Sequence, residues 1–306
     1  MDIIKAFEET NTREPKKRDY FYVTNLGSCP RQVIYNMEGR EAEPYTVGEL
    51  SRFQSGTFTQ RNWEYAWNRK GILLAKEFYI PALWGKPFFH GRVDDLLYNL
   101  SFNEEFLLNC NVKGDAKFLK SIKPTDIILL EFKTARSNAF SYPNKIAKLS
   151  HKLQTWAYQI HLEEFFPSLT IKEHAFLFYV DRDGTNKPIL HILERPDKDL
   201  LRIEATKLIQ AYRNFKEKDI LPPALSRNLK KVKIGGLSKV KLVSNWKCNY
   251  CKYRRICELP EYKSKDNVIG TVKGKSFVPN KNYDEFKMKD FINDDEIKSL
   301  IQKEEK

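Results

Sequence analysis

Hydrophobic positions along the chain follow two rhythms, one near 3.6 residues and one alternating or continuous, and the changes between them mark the elements. SCPRQVIYNMEG (28–39) reads as a short helix with Pro30 at its first position and Gly39 near its end. GELSRFQSGTFTQRNWEYAWNRKG (48–71) reads as a longer helix. Three strands follow: ILLAKEFYIP (72–81), FFHGRVDDLLYN (88–99) and DIILLEFKT (126–134), the last two separated by a polar, Lys-containing stretch taken as an insertion or loop. SHKLQTWAYQIHLEEFF (150–166) is a helix with Ser150 as its expected N-cap. EHAFLFYVDRDG and KPILHILERP pair as a hairpin around Asp183-Gly184. An amphipathic helix over 197–219 is stopped by the LPP that follows. This order predicts an α/β fold, a mixed sheet with helices. There is no internal repeat, and residues 261–306 are expected to be a partly ordered C-terminal extension.

The strand DIILLEFKT raises a chemical question, because it is apolar enough to be buried yet carries Glu131 and Lys133. Strand side chains alternate faces, so these two stand on one face roughly 6–7 Å apart. A carboxylate there can hold a divalent cation while the ammonium steers a water. The preceding strand supplies Asp94, with Gly91 allowing close backbone approach. Two hard carboxylates with waters and phosphate oxygens suit Mg²⁺ or Mn²⁺. On the helix 150–166, His151, Gln154 and Tyr158 share a narrow arc, opposite Leu153, Trp156, Ala157 and Ile160. Each feature alone also fits an ordinary surface pair, a turn cap or a solvated helix face.

Composition changes the picture in two places. The 306 residues carry a formal charge of +13, and the whole excess lies before residue 261. Between Ile220 and Cys257 there are ten Lys or Arg and no acid, a stripe that fits a phosphate-binding surface or a solvated basic loop. Lys230, Lys231, Lys233, Arg254 and Arg255 are its candidate DNA contacts. The five cysteines include Cys248-x2-Cys251-x5-Cys257, and an odd number with a CxxC pair points to metal rather than disulfides. A fourth thiol must close such a site. Cys29, just before Pro30 at a helix N-terminus, is favoured over Cys110. With no apolar leader and no run of about 18 apolar residues, a cytoplasmic protein without a membrane span is expected.

In order, Gly91-x-x-Asp94, Glu131-x-Lys133-Thr134 and His151-x-x-Gln154-x-x-x-Tyr158 resemble the motifs of the RecB-like PD-(D/E)XK nucleases. The resemblance implies a restriction-endonuclease-like mixed sheet flanked by helices and metal-dependent hydrolysis of phosphodiesters. Asp94, Glu131 and the main-chain carbonyl of Phe132 would bind Mg²⁺ or Mn²⁺. Lys133 would orient the attacking water, and Gln154 and Tyr158 would support Lys133 and the DNA. Where relatives place a further metal-binding His on the preceding helix, this chain has Gln60; Gln60 or His90 is the further ligand candidate.

One N-terminal and three C-terminal cysteines bracketing these motifs are similar to the iron–sulfur members of that group. The similarity implies a 4Fe–4S cluster on Cys29, Cys248, Cys251 and Cys257, in a subdomain joining the N- and C-terminal segments; zinc is the alternative. The nuclease domain is expected over 20–260, with its core at about 70–220. A chain without a Walker motif is most similar to the CRISPR-associated Cas-four exonucleases, which implies trimming of single-stranded DNA or overhangs beside Cas integrase proteins in spacer acquisition. The alternatives are a stand-alone repair or phage recombination nuclease of the AddB or exonuclease-five type, and an inactive iron–sulfur DNA-binding module.

Overall fold

The computed structural model describes residues 2–11, 16–83, 89–195, 198–222, 228–234, 237–243, 246–258, 270–272 and 275–277. Most of the C-terminal extension lies outside them, as do the side chains of the candidate contacts Lys230, Lys231, Lys233 and Arg255. In chain order the elements are α1 (Ile3–Asn11), β1 (Phe21–Tyr22), α2 (Pro30–Met37), α3 (Val47–Arg69), β2 (Leu73–Leu83), β3 (Phe89–Leu97), α4 (Glu104–Asn109), β4 (Asn111–Lys113), α5 (Ala116–Ser121), β5 (Ile128–Ala135), α6 (Ser141–Lys145), α7 (Leu149–Phe165), β6 (Ala175–Asp181), β7 (Ile189–Leu193), α8 (Lys198–Lys218), β8 (Asn228–Ile234), β9 (Leu237–Val243) and α9 (Arg254–Glu258). Among the described residues no helix is long and apolar enough to cross a membrane.

The chain divides into two compact units, the first being Met1–Ser28, Asn36–Gly39 and Pro44–Ile209. It holds a seven-stranded mixed sheet in the order β1-β3-β5-β6-β7-β4, with β2 on the other edge of β3. Strand β5 runs parallel to β6 and antiparallel to β3. Its residues divide by face as alternation requires. Leu130 and Phe132 join Phe176, Phe178, Leu190 and Ile192 in a core, which α3 covers with Trp63 against Phe178 and Trp67 against Phe132. Glu131 and Lys133 face the other way, toward α7.

Two features differ from the sequence-based expectation. The stretch after β3 is not a plain loop: it contains α4 and α5, and β4 adds a parallel strand beside β7. Helix α7 starts at Leu149 with Lys148 as its N-cap and no side-chain capping bond, so Ser150 lies inside the first turn.

The second unit comprises Cys29–Tyr35, Arg40–Glu43 and Gln210–Lys306. It joins an early segment to the late one through named contacts. Arg31 Nε donates to the Pro222 carbonyl at 2.8 Å, Glu43 N–H donates to the Lys252 carbonyl at 2.8 Å, and Tyr35 packs on Tyr253. The basic stripe, read as charge alone from the sequence, folds in part as the antiparallel pair β8–β9, with Lys230 opposite Lys241 and Val232 opposite Lys239.

Candidate active site

Strand β3 explains where a polar site is possible in this sheet. One edge pairs with β2 along most of its length. The other edge pairs with β1 at Phe89 and His90, and with β5 only at Asp95, Leu96 and Leu97. Residues 91–94 are therefore left without a strand partner on that edge. Backbone groups buried in such a gap need other partners. Asp94 Oδ2 accepts the Phe132 N–H at 2.8 Å, and the Tyr158 ring fills the space over Gly91.

Glu131 is the next residue along β5 after the paired Leu130, and it is fully buried. Its Oε1 accepts from Lys133 Nζ and from Gln154 Nε2, the latter at 2.7 Å. Gln154 Nε2 also lies 3.4 Å from the Tyr158 hydroxyl. Glu131 Oε2 is buried and has no hydrogen-bond partner.

Electrostatics tie the group together. Burial, then Asp94, push the Glu131 carboxyl well above its usual range against the pull of Lys133. Burial also raises Asp94, which Lys133 and the Phe132 N–H oppose. Two adjacent buried carboxyls resist double ionisation. Burial disfavours the Lys133 ammonium, but Glu131 and Asp94 outweigh it and hold the group charged. The donor set fits a hard divalent cation: two carboxylates with an ammonium alongside, and one buried carboxylate oxygen lacking a partner.

Helix α7 crosses this part of the sheet with one polar side chain for each strand. Tyr158 covers Gly91 of β3: a Cβ on Gly91 would lie 2.9 Å from the hydroxyl and 3.1 Å from Cζ, and closer still to Cε1. Gln154 holds Glu131 of β5. His151 Nδ1 meets the hydroxyl of Tyr179 on β6 at 2.7 Å, and Tyr179 is the register partner of Lys133.

Asp94, Glu131, Lys133, Gln154 and Tyr158 thus lie together, and Phe132 joins them through its N–H. Gln60 and His90 do not belong to this hydrogen-bonded group. Gln60 sits on α3, whose Trp63 and Trp67 pack on the opposite sheet face. His90 is held by the Tyr79 hydroxyl at 2.7 Å and by the Tyr20 ring. The sequence reading missed Tyr179, whose place depends on register. It also passed over Asp95, fully buried with neither oxygen hydrogen-bonded. Burial first, then Glu64 and Asp94, push Asp95 up to about 8.

The cysteines separate by unit. Cys110 is buried in the first unit, among the core residues, where burial raises its thiol to about 11. Cys29, Cys248, Cys251 and Cys257 all fall in the second unit. The Cys251 thiol is raised to about 11 by burial and by the proximity of Cys29, Cys257 and Cys248, and Arg31 reaches the Cys257 sulfur at 3.7 Å. Among the described residues no three His, Cys, Asp or Glu side chains are drawn together closely enough to hold a metal ion as they stand.

The family model for the PD-(D/E)XK nuclease superfamily matches residues 36–258. No curated protein matches the chain.

Proposed function

The chain belongs to the PD-(D/E)XK nuclease superfamily, and on that premise we propose that it is a metal-dependent deoxyribonuclease acting on single-stranded DNA or overhangs. The observation that carries the reading is Glu131: fully buried, held by Lys133 and Gln154, beside Asp94, with one oxygen left without a partner. A carboxylate is kept in such a place only where something compensates its burial. Asp94, Glu131 and the Phe132 carbonyl would hold Mg²⁺ or Mn²⁺. When bound, the ion polarises a phosphate oxygen and makes a water acidic enough to attack.

The rest of the chemistry belongs to the chain. Lys133 stays charged at the edge of the carboxylate pair, where it orients the attacking water and meets the negative charge that grows on the phosphate. Gln154 fixes the Glu131 carboxylate, and Tyr158 fixes Gln154 in turn. Replacing Glu131 or Lys133 by Ala is expected to abolish Mg²⁺- or Mn²⁺-dependent cleavage of end-labelled DNA. Wild-type rates from Lys133→Ala would overturn the assignment.

The reading extends to a 4Fe–4S cluster on Cys29, Cys248, Cys251 and Cys257. Its support is that these four thiols share one unit and that Cys251 senses the other three. It extends as well to DNA-backbone binding by the lysines of β8–β9 and by Arg254 and Arg255, supported by the excess of positive charge. Trimming of the Cas-four type, beside Cas integrase proteins, is the cellular setting this combination favours.

A further inference from the structure

We propose that His151 is a further substrate-binding residue of this site, its Nε2–H donating to a non-bridging oxygen of a phosphate in the bound strand, with Tyr179 as the positioning residue that fixes the ring. The inference rests on the nuclease reading above.

The tautomer follows from the hydrogen bonds. The Tyr179 hydroxyl and His151 Nδ1 lie 2.7 Å apart. A phenol is a stronger donor than a neutral imidazole N–H, and an imidazole imine nitrogen a stronger acceptor than a phenol oxygen, so the hydroxyl donates and Nδ1 accepts. With Nδ1 accepting, the ring proton of neutral imidazole must sit on Nε2. The ring is neutral in turn, because burial, aided by Lys133 and Lys148, pushes its pKa down to about 3. In this state His151 has no lone pair to offer a metal and none to take a proton from water. Its remaining capacity is to donate one hydrogen bond.

Position says to what. Tyr179 is the cross-strand neighbour of Lys133, and His151 lies one helical turn before Gln154, which holds Glu131. The half-buried ring therefore borders the place where a phosphodiester must come to meet Lys133. A neutral donor there adds a directed hydrogen bond without adding a second cation beside the ammonium.

The test compares His151→Ala, His151→Gln and Tyr179→Phe with wild type, by affinity for a fluorescent single-stranded oligonucleotide in Ca²⁺ and by single-turnover cleavage in Mg²⁺. A hydrogen bond to a charged group is worth about tenfold or more in affinity, so His151→Ala should bind at least about tenfold more weakly. His151→Gln, whose amide carries a donor near the Nε2 position, should recover most of the loss. Nitrogen-15 spectra of the wild-type ring should show the Nε2–H form from pH 5 to 8, with mixed tautomers in Tyr179→Phe. If wild type binds and cleaves DNA while His151→Ala does so equally well, or if His151→Gln is as impaired as Ala, the inference falls and the nuclease reading stands. Wild type that neither binds nor cleaves DNA overturns the nuclease reading and the inference with it.

Discussion

Gly91→Ala is the substitution whose effect follows most directly from the geometry. The added methyl would sit 2.9 Å from the Tyr158 hydroxyl and closer still to Cε1, where carbon contacts need about 3.5–4 Å. The Tyr158 ring is 2 % exposed and cannot swing into solvent, so ring or strand must move by about 1 Å. Overpacking of this kind costs about 1–3 kcal/mol. The displaced hydroxyl also leaves Gln154, and a misplacement of about 1 Å can cost about 10²-fold in rate. The assay pairs chemical denaturation with single-turnover cleavage, in wild-type and Tyr158→Ala backgrounds. Gly48→Ala is the control, since a Cβ there meets nothing within 4 Å. If Gly91→Ala destabilised the protein equally in both backgrounds, the clash with Tyr158 would not be its cause.

Asp181 tests a different balance. Burial opposes its ionisation, but Asn186, the Asp183 N–H, Ser137 and Thr185 outweigh that and hold its pKa at about 2. A depressed carboxyl stabilises the fold above its unfolded pKa and loses that contribution as pH falls through its folded pKa, a term of about 2 kcal/mol. Wild type should therefore melt well above Asp181→Ala at pH 6, with the gap closing toward pH 2; a gap independent of pH would refute this. Protein purified without oxygen should be brown with about four irons per chain, and Ser at Cys29, Cys248, Cys251 or Cys257 should bleach it while Ser at Cys110 should not. A colourless zinc protein would end that reading. Binding of single strands should weaken with salt at a log–log slope of about −0.7 per phosphate neutralised, and reversing the charges of Lys230, Lys231 and Lys233 together should flatten it. Equal slopes would remove those lysines from the DNA path.

How much of this was legible in the sequence depended on the range of the interaction. The apolar runs of β3, β5 and β6 and the arc of His151, Gln154 and Tyr158 carry their own periodicity, so those elements could be read directly, while a solvated face and a face turned to Glu131 share the same helical spacing. Strand β4 has three residues, too few to show a period, and its pairing with β7 is non-local. The β8–β9 pair was obscured by lysines that break the apolar alternation, although Gly235-Gly236 between them is a turn signal. The chain announces that Gly91 admits a close approach, but only packing reveals the Tyr158 ring as what approaches. Tyr179 could not be found without the β5–β6 register. Ser150 looked like a cap by type, yet the backbone entered the helix one residue before it.

The gap along β3 has a practical consequence for anyone wanting an inert form of this protein to trap DNA. Removal of a polar group from an active site often relieves strain, but here one such group, Asp94, helps to close the sheet's open seam. Asp94→Ala would strand the Phe132 N–H, at about 1–3 kcal/mol. Lys133 holds no backbone group among the contacts seen, so Lys133→Met, which keeps the bulk and removes the charge, should silence the chemistry without opening the seam, its cost being the lost ammonium that offsets the buried Glu131 and Asp94 carboxyls.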